Sequence, residues 1–273
     1  MMTYLLKDKP FEQRIVFANT GQEDERTLEF INQCAVEWGV PVVWVESDVS
    51  RDRGVGTGHK IVTYETATRD PSLFERMIEK YGIPNKNAPH CTRELKQRPI
   101  SSYVRTLGWK PGNYRTAIGI RADEIDRVNP NYKELGLYYP LCDARIKRGD
   151  VFAFWDKQTF DLNVPEHRGN CTWCWKKSLR KQLTLARETP QIFDFAMRME
   201  KEHAFTGPNA KGGPFTFFRE DRGAKDIIEL SRKNFEAFLD PRYLDQNAGC
   251  EESCEVHDPS QQISMVDLWR EKA

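Results

Sequence analysis

The chain carries no net charge: 41 Lys and Arg residues balance 41 Asp and Glu residues in 273. That balance excludes a whole-molecule field able to gather nucleic acid or anionic lipid, so any site for a polyanion must be local. Also missing is an apolar run near the roughly 20 residues that a membrane helix needs. The opening residues, Met1-Met2-Thr3-Tyr4-Leu5-Leu6-Lys7-Asp8-Lys9-Pro10, do not make a signal peptide. These absences predict a cytoplasmic protein with no membrane segment. No internal repeat of a useful period is present, which sets repeat architectures aside. Seven cysteines (Cys34, Cys91, Cys142, Cys171, Cys174, Cys250 and Cys254) form an odd set. In a reducing compartment such a set points to metal binding, catalysis or plain packing rather than to a disulfide framework.

What is present is an alternation of strands and helices, in a chain long enough to bury a substantial core. Ile15-Val16-Phe17-Ala18 is an apolar strand that ends in Asn19-Thr20-Gly21 and passes into a helix with Asp24 as N-cap. Glu25 to Trp38 places Leu28, Ile31, Ala35 and Trp38 on one helical face; Gly39-Val40-Pro41 stops it before the strand Val42-Val43-Trp44-Val45. This β-α-β order implies a parallel sheet with covering helices. Ser47 to Lys60 reads as a long loop, of the kind that serves as a lid or binding segment. Pro71 to Tyr81 reads as a helix burying Leu73, Phe74, Met77 and Ile78, and a second helix over about Arg93 to Thr106 leads to a strand over Tyr114 to Ile120. Further on, the pattern predicts a short helix through Val151, Phe152, Phe154 and Trp155, a helix from about Trp175 to Arg187, and a helix start at Thr189-Pro190. The expected fold is therefore α/β: an open, mostly parallel twisted sheet with helices on both faces. It occupies residues 1–165, followed by a helical region over 166–240 and a loop-rich acidic tail over 241–273.

In an open α/β sheet, ligands bind beyond the carboxyl ends of strands, which makes Asn19, Thr20, Gly21 and Glu23 candidate contacts. Arg93 and Lys96 lie one turn apart near a helix start, where side chains and unpaired N–H groups together can hold a phosphate or sulfate. Arg121-Ala122-Asp123-Glu124-Ile125-Asp126-Arg127 follows the later strand: Arg121 and Arg127 suit an anion clamp, with Asp123 or Glu124 orienting them. Cys171-Thr172-Trp173-Cys174 at a helix opening is a thiolate pair for one metal. His90 and Cys91 supply two more donors, with Cys142 as the substitute if His90 is not recruited. Thiolates suit zinc and iron–sulfur clusters alike. Trp173, Trp175, Lys176, Lys177, Arg180 and Lys181 interleave rings with cations, a composition suited to single-stranded nucleic acid or to a nucleotide. Cys254, near His257, has the makings of a nucleophile.

Assembled in order, these motifs resemble the phosphoadenosine phosphosulfate (PAPS) reductase family of the PP-loop, adenine-nucleotide alpha-hydrolase-like superfamily, and its phage and mobile-element branch most. Val16 to Glu23 looks like that family's second strand and its loop, Cys91 to Pro99 like its basic helix motif, and Gly119 to Glu124 like its substrate-anion loop. The likeness spans about residues 14 to 200, and the ordered set is specific although each motif is short. It implies a Rossmann-like domain that binds an adenine nucleotide (ATP, PAPS or adenosine phosphosulfate) and an iron–sulfur cluster or zinc at Cys91, Cys171, Cys174 and His90. It also implies Cys254 as the thiolate that attacks sulfur, and thioredoxin or glutathione as reductant. Family members carry a Ser-Gly-Gly-x-x-Ser phosphate loop between a first strand and the helix before Val16. Met1 to Leu6 looks like the latter part of that helix, so this version is expected without the loop and without the first strand. His90 stands where clustered members often have a second adjacent Cys, and Ser253-Cys254-Glu255-Val256-His257 lacks the glycine of their terminal motif. Two other readings use the same residues: a PP-loop enzyme that adenylates or thiolates nucleic acid, and a catalytically inactive, metal-stabilised binding module.

Overall fold

The computed structural model describes residues 1–52, 54–207 and 210–240. In chain order it contains α1 (Met2–Leu6), β1 (Ile15–Asn19), α2 (Glu25–Glu37), β2 (Val42–Asp48), β3 (Gly58–Val62) and α3 (Ser72–Tyr81). An unbroken helical stretch follows, made of α4 (His90–Thr92), a π-helical turn (Arg93–Gln97) and α5 (Arg98–Thr106). Then come β4 (Thr116–Ala117), β5 (Leu137–Tyr138), α6 (Pro140–Asp143), α7 (Arg148–Trp155), α8 (Leu179–Glu188), α9 (Asp194–His203) and α10 (Ala224–Ser231). The result is a mixed α/β protein with small open sheets and many helices. No helix among the described residues is long and apolar enough to cross a membrane.

The described residues group into two compact units, 1–13 with 104–161 and 14–103 with 162–240. The sequence reading instead divides the chain at 165 and 240. In the second unit the sheet order is β1-β2-β3; β1 and β2 are parallel with Ala18 opposite Val45 and Asn19 opposite Glu46. The predicted β-α-β unit is present, with Asp24 accepting from the Arg26 N–H as the α2 N-cap and Leu28 buried against Trp44. Ser47 to Lys60, expected to be all loop, instead turns back into β3, which is antiparallel to β2 with Ser47 opposite His59. β3 is an edge strand whose Ile61 is exposed and which buries only Val62 in the core, so its sequence shows no buried alternating face. The sheet is mixed rather than mostly parallel.

The larger core of this unit gathers α3, α8, α9 and α10 around Trp173. The α3 face is the expected one, with Leu73, Phe74, Met77 and Ile78 all buried. Trp173 lies edge-on to Phe74 at 5.1 Å and to Phe217 at 4.9 Å between ring centroids. α8 starts at Leu179, not near Trp175, because Ser178 is its N-cap, accepting from the Lys181 N–H. The hydroxyl of Thr189 does not cap a helix; it accepts from Arg168, and a 3-10 turn over Pro190–Phe193 leads into α9.

In the first unit, the strand expected over 114–120 is reduced to β4, paired in parallel with β5. Ile120, Val128, Tyr139 and Cys142 form its small core. Tyr4 of α1 packs on Phe154 of α7 at 5.1 Å, and Phe154 on Trp155 at 5.0 Å, so α7 is apolar as predicted.

Candidate functional site

At the carboxyl end of β1 the polar residues first satisfy one another. Asn19 Nδ2 donates to Glu46 Oε1 at 2.7 Å and to the Thr68 carbonyl at 2.8 Å, while Asn19 Oδ1 accepts from the Gly21 N–H at 3.2 Å. Glu46 also accepts from the Thr68 N–H at 2.6 Å and from its hydroxyl at 3.0 Å. Asn19 and Glu46 are thus fully engaged, buried clamps that join the two strand ends. Gly21 has φ +71°, and a Cβ there would sit 2.2 Å from the Asp70 carbonyl oxygen, so only glycine fits this turn. The Glu23 carboxylate folds back onto the turn, accepting from the Thr20 hydroxyl at 2.8 Å and the Thr20 N–H at 3.0 Å.

The segment Cys171 to Cys174 docks on that turn. Glu23 and Cys171 form an isolated antiparallel bridge, Thr172 N–H donates to the Gln22 carbonyl at 2.9 Å, and Trp173 Nε1 donates to Gln22 Oε1. Thr20 Oγ1 lies 3.4 Å from Cys171 Sγ. The loop is held from behind by Lys177, whose buried ammonium donates to the carbonyls of Gly169 at 2.7 Å, Cys171 at 2.8 Å and Thr172 at 3.1 Å. The Cys-x-x-Cys pair therefore does not open a helix, as its composition had suggested; it lies in a turn that ends before the Ser178 cap.

The helical stretch from His90 meets the same place. Lys96, in the π-helical turn, puts its ammonium 3.7 Å from Glu23 Oε1, and Lys176 reaches the Thr92 hydroxyl at 3.1 Å. Burial alone would lower the Lys96 pKa; electrostatic interaction with Cys171, Glu23, Cys174 and Cys91 outweighs burial and holds it above its ordinary value. Burial, with the Glu23 carboxylate beside it, pushes the Cys171 thiol up to about 12, although Lys96 pulls the other way. Burial and Glu23 thus both favour the neutral thiol of Cys171.

Next to Lys96, the fully buried Glu94 accepts from Arg93 Nε at 2.7 Å and from the Thr57 hydroxyl, with Arg98 Nε 3.4 Å away. Arg93 and Arg98 thus share one inward carboxylate while their side chains stay about half exposed. Glu46, Thr57 and Glu94 are the residues that sequence reasoning missed. Glu46 near the end of β2 was open to the same strand-end argument as Asn19, whereas nothing local signals that Glu94 faces inward.

His90 is turned elsewhere: its Nε2 pairs with the Gly82 carbonyl at 3.0 Å, and burial lowers its pKa. Cys142 belongs to the first unit, where its thiol donates to the carbonyls of Ile120 and Arg121 at 3.3 Å and burial pushes it up to about 11. Among the described residues no group of three or more His, Cys, Asp or Glu side chains is arranged to hold a metal ion.

The Arg121 segment, also in the first unit, is a 3-10 helix over Ala122–Arg127. Arg121 pairs with Asp123 at 3.0 Å and with Glu124 at 3.3 Å, and Arg127 pairs with Glu124, so the proposed anion clamp is closed on its own carboxylates. The cations around α8 are also used internally. Lys181 pairs with Glu166 at 2.8 Å, Arg180 with Glu236 at 2.8 Å, and Lys177 and Lys176 are placed as described above. Cys254 and His257 lie outside the described residues.

Comparison with known proteins gives one relative over nearly the whole chain. An uncharacterized nin region protein, ORF290, of Escherichia phage lambda is 30% identical over 253 residues, covering 88% of this chain and 84% of its own length. No family model matches, and no solved structure matches.

Proposed function

We propose that this chain, which belongs to the family of the nin region protein ORF290 of Escherichia phage lambda, is a PAPS reductase-like protein of PP-loop, Rossmann-like type. In this reading it binds an adenine nucleotide beyond the carboxyl end of β1 and acts in sulfonucleotide reduction or a related sulfur transfer. One observation carries the reading: the segments 19–23, 91–98 and 171–174, far apart in sequence, come together around the ammonium of Lys96. Arg93, Lys96 and Arg98 would hold the anionic part of the nucleotide, with Glu94 fixing the two guanidinium groups in place.

In the reaction that the resemblance implies, the thiolate of Cys254 attacks the sulfur of the sulfonucleotide. An S–S bond forms as the S–O bond to the adenosine phosphate breaks. A thiol of thioredoxin or glutathione then attacks the enzyme sulfur, forms a mixed disulfide and expels sulfite. By the resemblance, Cys91, Cys171 and Cys174 are the residues that would hold zinc or an iron–sulfur cluster, although among the described residues they are not arranged as a three-ligand metal site. Such a group would supply the positive charge that keeps those thiolates ionised. His90, bonded to Gly82, is not turned toward them.

Calorimetric titration with adenosine phosphosulfate, PAPS and ATP, alongside sulfite release and metal analysis, tests the proposal. The expected result is binding of at least one nucleotide, weakened by roughly tenfold in Arg93→Ala or Lys96→Ala as a charge-assisted contact is lost. Cys254→Ser should keep the binding and lose sulfite release. Failure of the wild-type protein to bind any of the three nucleotides overturns the reading, and stoichiometric metal in such a protein marks a binding module instead.

A further inference from the structure

Between Glu94 and Asp123 the chain has no acidic residue, yet it carries Lys96, Arg98, Arg105, Lys110, Arg115 and Arg121. In a chain whose charges balance overall, this is a strong local excess of one sign. Its part in the first unit is also rich in rings. Trp109 and Tyr114, both half-buried, tilt toward each other at 34° with centroids 6.0 Å apart. They flank a tight turn, in which Asn113 N–H donates to the Lys110 carbonyl at 3.1 Å and Lys110 N–H to Asn113 Oδ1 at 2.8 Å. One residue after Tyr114, the exposed guanidinium of Arg115 lies over the Tyr138 ring at 5.2 Å. Tyr138 is opposite Ala117 in the β4–β5 pair, so strand alternation puts Arg115 on the same side of that pair.

Arg105, Lys110 and Arg115 are exposed and make no ion pair among the described residues, in contrast to Arg121 and to the basic residues around α8. Partly exposed rings, alternating with exposed cations that make no ion pair, match the two demands of an unpaired nucleic-acid strand: stacking for the bases and counter-charge for the phosphates. A duplex, whose bases are already stacked, gains only the charge term. The excess is also confined to a short segment and does not extend into the broad basic face that duplex binding favours.

We propose that residues 105–115, with Tyr138, bind single-stranded nucleic acid: bases stack on Trp109 and Tyr114, and phosphates contact Arg105, Lys110 and Arg115. None of these residues is among those assigned to the nucleotide, so the proposal stands whether or not that assignment does.

The test is fluorescence anisotropy of labelled oligothymidylate and oligouridylate of about 16 nucleotides, the upper end of common single-strand site sizes, against a duplex of equal length and over a range of salt. The wild-type protein is expected to bind a single strand in preference to duplex, and comparison of the two oligomers tells DNA from RNA. Lys110→Glu with Arg115→Glu should abolish most of that binding. Milder Lys110→Gln with Arg115→Gln should reduce the slope of log affinity against log salt by about 1.4, the share of two phosphate contacts on a single strand. Trp109→Ala with Tyr114→Ala should weaken binding by roughly thirtyfold or more with little change in the salt slope. All these residues but the rings are exposed, so circular dichroism and melting of the Gln variants should match wild type. Absence of single-strand binding at low salt, preference for duplex, or unchanged affinity in the Glu variant overturns the proposal.

Discussion

Asn19 and Glu46 face each other across the parallel β1–β2 pair, joined by a 2.7 Å hydrogen bond with both side chains buried. Because Glu46 also receives the N–H and hydroxyl of Thr68, the pair ties the sheet to the segment that precedes α3. Glu46→Ala leaves the Asn19 amide and the Thr68 N–H buried without that acceptor, at about 1–3 kcal/mol for each group. Urea denaturation should show a loss of roughly 2–5 kcal/mol, and Glu46→Gln a smaller one, since its amide oxygen can still accept.

Lys177 makes the second test of the same region. Its three carbonyl contacts hold the Gly169–Thr172 backbone, and the cation is buried. Lys177→Met should cost about 3 kcal/mol or more, in line with hydrogen bonds to a charged group. Hydrogen exchange should then rise first at Thr172 and Cys174, whose N–H groups bond to Gln22 and Cys171.

Cys171 should be slow to alkylate. Its thiol, raised to about 12, supplies very little thiolate at pH 8, and it is buried, whereas Cys91 and Cys174 are partly exposed. Mass spectrometry of protein treated briefly with iodoacetamide at pH 8 should find Cys91 or Cys174 modified ahead of Cys171.

Acid should weaken the contact between α3 and α9. Arg198 grips Glu75 with both terminal nitrogens, at 2.6 and 2.8 Å, and these hydrogen bonds hold the Glu75 carboxyl below its ordinary range. A carboxyl whose pKa is depressed on folding contributes stability above its unfolded value, and that contribution is lost as pH falls through the folded one. The loss should therefore appear below about pH 4.3, remain under about 1 kcal/mol for this partly exposed pair, and be absent in Glu75→Gln melts across the same range.

Much of the second unit was legible because its signals are local. The periodic face of α3, the Asp24 cap and the β1-α2-β2 order depend on neighbours within a turn or two, and each appears where the pattern puts it. β3 was not legible, since Gly58, His59 and Lys60 on an edge strand need no buried face. The internal pairing of the cations around α8 was not legible for a related reason. Spacing shows that Lys177 and Lys181 are cationic, but only tertiary packing turns one onto backbone carbonyls and the other onto Glu166. The Cys-x-x-Cys segment was placed one turn too early because the Ser178 cap, rather than the cysteines, starts α8. Residues 20, 23, 96 and 171 lie together through contacts far apart in sequence, and no local pattern signals the inward Glu94 that braces two arginines.

The widened turn over Arg93–Gln97 sets the phase of everything after it. A π-turn adds one residue to a cylinder that otherwise advances about 100° per residue. Side chains from Arg98 onward are thereby rotated out of step with those before Arg93, and deleting any single residue between them would restore a uniform spiral. Such a deletion would swing Lys96 or Glu94 off its target while leaving the chain just as helical, so a far-ultraviolet spectrum would barely change as the thiol nest lost its cation.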